Sequence, residues 1–255
     1  MEALKQTENL IQGEGTPLRA WQSSTRLAAA PWISVAQLLD GAARLVIVAP
    51  HPDDEVLGCA GLLCALAGQE QSLLIVAVTD GEGSHPGSQH WTQAQLSQQR
   101  PLESRTALAC LGLRSDAVQW HRLGLHDSAV AADQGYLLKQ LRQLLRPGDR
   151  VLTTWRHDGH CDHEAVGRAC AQVAGEVGAS LLETPIWTWH WASPDDPRIP
   201  WERVRKLALD DATLEKKRRA IAAHASQVNP DHEQPAVLTE ATLQRLLQPF
   251  EWILV

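Results

Sequence analysis

Disulfide-capable cysteine is scarce and odd in number. Five cysteines occur in 255 residues, and Cys59, Cys64, Cys110 and Cys170 fall within apparent helices. That suits reduced thiols rather than a disulfide framework and predicts a reducing, cytoplasmic setting. A long apolar run is also missing: no stretch approaches the roughly 20 residues needed to cross a bilayer. The opening "MEALKQTENLIQGEGTPLRAW" lacks the basic-then-apolar order of a secretory signal. Nor is there an excess of positive charge. With a formal net charge of −7, no global field would hold a phosphate backbone, so nucleic acid is not an expected partner. No internal repeat or low-complexity tract is present, and the turn after the first predicted strand carries no G-x-G-x-x-G, which argues against a dinucleotide oxidoreductase.

What the chain does have is a regular alternation. The runs "RLVIVAP" (44–50), "SLLIVAVTD" (72–80), "AVQWHRL" (117–123), "DRVLTTW" (149–155) and "SLLETPIW" (180–187) read as strands. Between them, "VLGCAGLLCALAGQ", "SQQRPLESRTALACLG", "DQGYLLKQLRQLLRPG" and "HEAVGRACAQVAGEVG" carry helical periodicity and end in glycine or nearly so. Strands apolar on both faces predict an α/β fold: a Rossmann-like, doubly wound, mostly parallel sheet of order 3-2-1-4-5, with helices on both faces. A hydrophobic content of 44% can bury such a core. Residues 1–40 are expected to be a loosely attached, irregular or helical arm, and 41–255 a single domain. Beyond 187 a proline-rich stretch leads into a C-terminal extension containing "RVRKLALD", two helices and "FEWILV".

Aromatic content is lopsided: ten tryptophans against one tyrosine and one phenylalanine. Four of the tryptophans lie in "IWTWHWASPDDPRIPW" (186–201), where an extended chain would place Trp187, Trp189 and Trp191 on one face. Such a face could pack the core, stack on a sugar or lipid, or form a subunit interface in a homo-oligomer.

Two motifs carry chemistry. "APHPDDEVLGCAG" (49–61) follows the first strand, and "WRHDGHCDHEAVG" (155–167) follows the fourth. In an open parallel sheet, ligands bind beyond the carboxyl ends of strands, where the strand order reverses. The predicted order therefore sets His157, His160, Asp162 and His163 opposite His51, Asp53, Asp54 and Glu55. A catalytic zinc commonly takes three N/O protein ligands and leaves a position for water. His51 with one of Asp53 or Asp54 could supply two ligands, and His160 and His163, three apart at a helix start, one ligand and one proton-handling group.

These segments resemble the PIG-L (LmbE-like) family of zinc-dependent N-deacetylases. The likeness covers about residues 44–230 and comprises, in that family's order, "PHPDDEVLGCAG", "TDGEGS", the Arg-x-x-Glu of "RPLESRTALACLGL", "LGLHDS", "DGHCDHEAVG" and "KRRAIAAHASQ". The resemblance implies His51, Asp54 and His163 as ligands of Zn²⁺, with Fe²⁺ or Co²⁺ able to occupy the same site. It implies Asp53 as general base. It makes His160 the imidazole that stabilises the oxyanion and passes a proton to the departing amine. Asp162 would orient a neighbouring imidazole. Arg100 and Asp127 would contact substrate, and Trp189 is a further candidate for that surface. Glu55 is expected to bond backbone at the helix start, while His224 and Gln227 fall in a motif without an assigned role. Cys161 stands where the family often has proline and is expected as a small buried thiol. The implied substrate is a small N-acylated amino sugar or glycoconjugate. A two-ion phosphoesterase and a non-catalytic sugar-binding protein are the alternatives.

Overall fold

The computed structural model describes residues 11, 13–232 and 234–255. Strand β2 (Arg44–Ala49) is buried from its second residue onward, and β3 (Leu73–Thr79) along its whole length. Unbroken burial of this kind requires cover on both sheet faces, and alternation sends successive side chains to opposite sides. Leu45, Ile47, Leu73 and Ile75 join one apolar cluster; Val46, Val48, Leu74 and Val76 join the other. The first cluster is completed by α4 (Asp54–Ala65), α5 (Gln93–Cys110) and α9 (Asp211–Ala222), the second by α6 (Gln134–Leu144) and α7 (Cys161–Val177).

With β4 (Gln119–Leu125), β5 (Asp149–Thr154) and β6 (Ser180–Thr184), these strands pair in parallel in the order β4-β3-β2-β5-β6. Pairing of β2 with β5 matches Val48 to Thr153, so the "HPDDE" turn and the "HDGHCDH" turn leave adjacent strand ends. β4 begins two residues later than the sequence predicts. It is an edge strand whose Gln119, His121 and Arg122 face solvent, which weakens the apolar signal there.

The C-terminal extension continues the same sheet. β8 (Phe250–Leu254) lies antiparallel between β6 and β7 (Val204–Ala208). The short β1 (Trp32–Ile33) pairs in parallel with β7 and closes an eight-stranded sheet. The N-terminal segment is thus not loosely attached where it is described; residues 1–10 and 12 lie outside the described residues. Its helices α1 (Leu18–Trp21), α2 (Thr25–Ala29) and α3 (Val35–Leu38) each bury an apolar side chain, Trp21, Leu27 and Leu38, in the core. Trp21 is buried with its ring 5.1 Å from Trp189 and 5.7 Å from Trp252, and its Nε1–H donates to the Trp189 carbonyl at 2.8 Å. A large indole in a three-tryptophan cluster outweighs the polar character of the surrounding sequence.

The tryptophan segment also departs from expectation. Residues 188–191 form a helical turn, α8 (Thr188–Trp191), so Trp187, Trp189 and Trp191 do not share a face. Trp189 is only 4% exposed, 4.9 Å from Trp252, and belongs to the core rather than to a substrate surface. Trp191 stacks on Trp155 and donates its Nε1–H to the Asp158 carbonyl at 2.7 Å.

The "KRRAIAAHASQ" motif contributes packing. Lys217, on α9, is buried and donates from Nζ to the Leu57 carbonyl at 2.9 Å and to Glu251 Oε1 at 2.8 Å, locking α4 to α9 and β8. Two short helices, α10 (Ala225–Val228) and α11 (Glu240–Leu246), complete the described chain, and no helix among the described residues is long and apolar enough to cross a membrane.

Candidate active site

At the end of β2 the chain turns through His51, Pro52 and Asp53 into α4. The turn is held from within: Asp54 Oδ2 accepts the His51 N–H at 2.8 Å, and Glu55 Oε2 accepts the Asp53 N–H at 3.1 Å. Glu55 therefore bonds backbone at the helix start. Asp53 has φ 134° and ψ −28°, a conformation that L residues rarely adopt and that costs about 1–3 kcal/mol. Strain of this size persists where surrounding contacts over-determine the turn, and here it aims the Asp53 carboxylate at Arg100.

Arg100 is buried and spans three groups: Nη1 donates to the Gly81 carbonyl (2.8 Å), Nη2 to the Pro52 carbonyl (2.8 Å) and to Asp53 Oδ2 (3.1 Å). Gly81, at φ +68°, has no room for a Cβ, which would collide with the guanidinium. Arg100 thus grips Asp53 rather than the neighbouring Glu103, whose carboxylate instead accepts the Ser226 N–H (2.9 Å) and O–H (2.6 Å).

The second turn brings in α7. Gly167 lets this helix approach, since a Cβ there would lie 2.8 Å from the backbone of Arg156 and Thr154. His160 caps the helix, its Nδ1 accepting the Asp162 N–H at 3.2 Å, and His163 follows in the first turn. His157 faces solvent, away from the cavity, while the next residue, Asp158, turns inward and is fully buried. Asp158 went unnoticed in the sequence. Its Oδ2 lies 2.8 Å from His163 Nδ1, and its two oxygens also accept the backbone N–H groups of Ile186, Trp187 and Thr188 and the Thr188 hydroxyl. A single acid between His157 and Gly159 gives no periodic signal. Only its surroundings mark it.

His51 and His163 do converge. Their ring centroids lie 5.4 Å apart, and Asp54 stands between them, Oδ2 at 3.3 Å from His51 Nδ1 and Oδ1 at 3.3 Å from His163 Nε2. His51 Nε2 faces outward to Asp162 Oδ2 (3.1 Å) and Asp127 Oδ1 (3.2 Å). Asp162 is fixed in turn by the N–H groups of Ser128 (2.6 Å) and Val130 (3.1 Å), and Asp127 by that of Gly83 (3.0 Å). Asp162 thereby orients an imidazole of the opposite turn, and Asp127 shares that task while lining the cavity.

The donor set fits a divalent ion. His163 Nε2 is buried with no hydrogen-bond partner, while Asp158 takes the proton on Nδ1; in the same way Asp127 and Asp162 engage His51 Nε2 and turn its Nδ1 inward toward Asp54. An imidazole with a carboxylate on its far nitrogen and a lone pair facing inward is the arrangement found around catalytic metals. Ligand atoms of His51, His160 and His163 lie mutually within 4.8 Å, as do two further sets, His160/Cys161/Asp162 and His51/Asp127/Asp162. Both further sets use Asp162, whose oxygens already accept backbone donors.

Charge and burial set the protonation. The Asp53 carboxyl is pushed up to about 7 by burial, against the opposing pull of Arg100. Burial likewise works against Asp54, but the His163 and His51 imidazoles hold its carboxyl well below the usual range. His163 is raised to about 9 because Asp54 and Asp158 outweigh its burial. His160 falls to about 3 through burial and the positive rings of His51 and His163. Cys161 is exposed rather than buried, and partial burial of its thiol with the Asp162 charge raises its pKa, so it stays protonated.

These groups line a cavity of about 230 Å³, together with Ser84, Ser128, Trp187, Gln227 and Leu238. The loop at 81–95 contributes a wall, as its position after β3 suggests; of the tryptophan segment only Trp187 reaches the cavity, and the wall from Val237 and Leu238 had no sequence signal. His224 lies outside the cavity lining, buried with neither ring nitrogen hydrogen-bonded, and burial lowers it to about 3.

Comparison with known proteins agrees with this geometry. A family model described as PIG-L, GlcNAc-PI de-N-acetylase, matches residues 46–174. The chain is 28% identical over 240 residues to a 1D-myo-inositol 2-acetamido-2-deoxy-alpha-D-glucopyranoside deacetylase of Rhodococcus jostii, covering 72% of this chain and 82% of that one. It is 25% identical over 219 residues to a probable N-acetyl-alpha-D-glucosaminyl L-malate deacetylase of Bacillus anthracis, covering 82% and 94%. The fold is shared with the N,N'-diacetylchitobiose deacetylase of Pyrococcus horikoshii, at a TM-score of 0.55, 18% identity and 78% coverage of each chain. With a family match over half its length on the strands and turns that build this site, the chain belongs to the PIG-L family.

Proposed function

We propose that this protein is a zinc-dependent N-deacetylase that hydrolyses the acetamide of an N-acetylglucosamine-type glycoconjugate. One observation carries the reading: His51, Asp54 and His163 converge in a single cavity beside a carboxylate, Asp53, whose pKa sits near neutrality. The scaffold is read as a Rossmann-like doubly wound sheet, 41–255 as the catalytic domain with the N-terminal segment packed on it, and the free thiols suit a cytoplasmic enzyme.

His51, Asp54 and His163 would hold the ion, which supplies Lewis acidity toward an amide carbonyl and lowers the pKa of water. Asp53 would take the proton of the attacking water, with its orientation fixed by Arg100. His160 Nδ1 accepts the Asp162 N–H, so the neutral ring carries its proton on Nε2, where it can donate a hydrogen bond to the tetrahedral oxyanion. The family resemblance also gives His160 the transfer of a proton to the departing amine, and Asp53, a carboxylic acid once it has taken the proton of the water, lines the same cavity as a second donor.

Metal analysis combined with acetate release from a panel of N-acetylated amino sugars tests the proposal. One ion per chain and acetate release are expected, with Asp53→Asn keeping the metal and losing about 10²–10⁴ in rate. Two ions per chain with phosphatase activity and no acetate release would overturn it.

A further inference from the structure

Gln227 lines the catalytic cavity and is only 1% exposed. Both hydrogens of its amide are taken, since Nε2 donates to Ser226 Oγ at 2.9 Å and, more weakly, to Ser84 Oγ at 3.4 Å. Its Oε1 accepts nothing from the described residues, yet it is not sealed in the interior as the unpartnered ring nitrogens of His224 are. The trace of Gln227 that stays open is therefore an acceptor on the cavity wall.

An amide can be turned end for end, and its hydrogen bonds decide which end faces out. Here the decision is made from α5. Glu103 Oε2 accepts the Ser226 hydroxyl hydrogen at 2.6 Å, and Glu103 Oε1 accepts the Ser226 N–H at 2.9 Å. With its one hydrogen given to a carboxylate, Ser226 Oγ can act toward Gln227 only as an acceptor. It requires the amide nitrogen, and Oε1 is left for the cavity. Glu103 follows Arg100 by one turn of α5, so the same helix that grips the Asp53 carboxylate also orients this amide.

The loop after β3 sets where the oxygen stands. The Gly81 carbonyl holds Arg100, the Gly83 N–H holds Asp127, and the next residue, Ser84, meets Gln227. Gln227 thus belongs to the wall that carries Asp127, and it bonds none of His51, Asp54 and His163, beside which an acetamide has to lie. The donor that reaches Oε1 then comes from the ring that bears the acetamide.

We propose that Gln227 recognises a ring hydroxyl of the substrate by accepting its hydrogen at Oε1, and that Glu103, acting through Ser226, is the positioning residue that holds the amide for this task. This deepens the deacetylase reading and rests on it for the identity of the ring.

The test uses the metal-loaded enzyme with N-acetylglucosamine and its mono-deoxy analogues, each lacking one non-anomeric hydroxyl. In the wild type, loss of one particular hydroxyl should lower kcat/KM by about tenfold, the worth of a hydrogen bond whose acceptor is left unpaired. In Gln227→Leu that penalty should vanish, the deoxy sugar and its parent agreeing within about twofold, while the penalties at the other hydroxyls stay as they were. A side chain that merely supports the fold would slow all the sugars alike. Ser226→Ala leaves Gln227 in place but frees its amide to turn, and it should bring the same penalty down to about threefold; this variant carries the test if Gln227→Leu does not fold. Penalties within about twofold of wild type at every hydroxyl, in whichever of the two variants folds, would overturn the proposal. If the wild type releases acetate from none of these sugars, the deacetylase reading fails, and calorimetric binding of the same sugars then judges Gln227 alone. A binding penalty that disappears in the variants supports the assignment, and equal penalties in variant and wild type refute it.

Discussion

Asp158→Asn is the sharpest probe of how the ligand set is prepared. The carboxylate receives three donors at Oδ1, from Ile186, Thr188 N–H and the Thr188 hydroxyl, and two at Oδ2, from Trp187 and His163 Nδ1. An asparagine offers a single acceptor oxygen. The cheaper orientation keeps that oxygen on the three-donor side and turns the amide NH₂ toward Trp187 N–H and His163. In the neutral ring that metal binding requires, His163 can then escape a donor–donor clash only by carrying its proton on Nε2, the nitrogen that faces Asp54 at 3.3 Å. The substitution therefore protonates the atom a metal needs. Loss of such a supporting carboxylate weakens metal affinity about 10–100-fold, equivalent to about 1.4–2.8 kcal/mol. Trp187 N–H, left facing a donor, adds about 1–3 kcal/mol of lost stability. Metal retention after dialysis against graded chelator reads the first effect and thermal unfolding of the metal-free protein the second. An Asp158→Asn variant that retains metal as tightly as wild type would show that Asp158 does not set the His163 tautomer, even if the variant unfolds at a lower temperature.

Three other perturbations follow from the structure. In the metal-free protein His163 is raised from 6.5 to about 9, so the stability it contributes is complete below pH 6.5 and disappears as pH climbs to about 9. Linkage puts that loss at no more than about 3 kcal/mol, and Asp53, raised from 3.8 to about 7, acts with the same sign at lower pH. Urea titrations at pH 6 and pH 9 should show the fall, and excess zinc should shrink it by replacing the proton; stability rising with pH would contradict this account. Trp189→Ala should cost about 3–5 kcal/mol through loss of the Trp21–Trp189–Trp252 cluster. Trp187→Ala, at the cavity wall, should cost about 1 kcal/mol and raise KM instead, a contrast that denaturation and kinetics resolve together. Lys217→Met strands a buried Glu251 and should cost about 3–5 kcal/mol, with much of that recovered in a Lys217→Met/Glu251→Gln double variant.

Much of this molecule could be read along the chain, for reasons rooted in local chemistry. Strands buried on both faces must be apolar at every position, as in "RLVIVA" and "LLIVAVT", and helices between them must repeat near 3.6 residues. Those two periods yield a parallel sheet and, with it, the adjacency of the turns after β2 and β5, where His51, Asp53, Asp54, His160 and His163 meet. What no local pattern contains is a side chain's direction in an irregular segment or its partner from far away. Asp158 and His157 are neighbours in one turn, yet one is buried under five donors and the other faces solvent. Alternation in "IWTWHW" suggested an extended face, but the Asp158 carboxylate gathers the N–H groups of residues 186–188 and starts a helical turn that sends Trp189 to the core. Composition and spacing determined the sheet and the reactive residues, because burial and periodicity act on neighbours. Tertiary structure alone decided which acid steers which imidazole and which tryptophan reaches the cavity, because hydrogen bonds between distant segments exist only once the chain has closed upon itself.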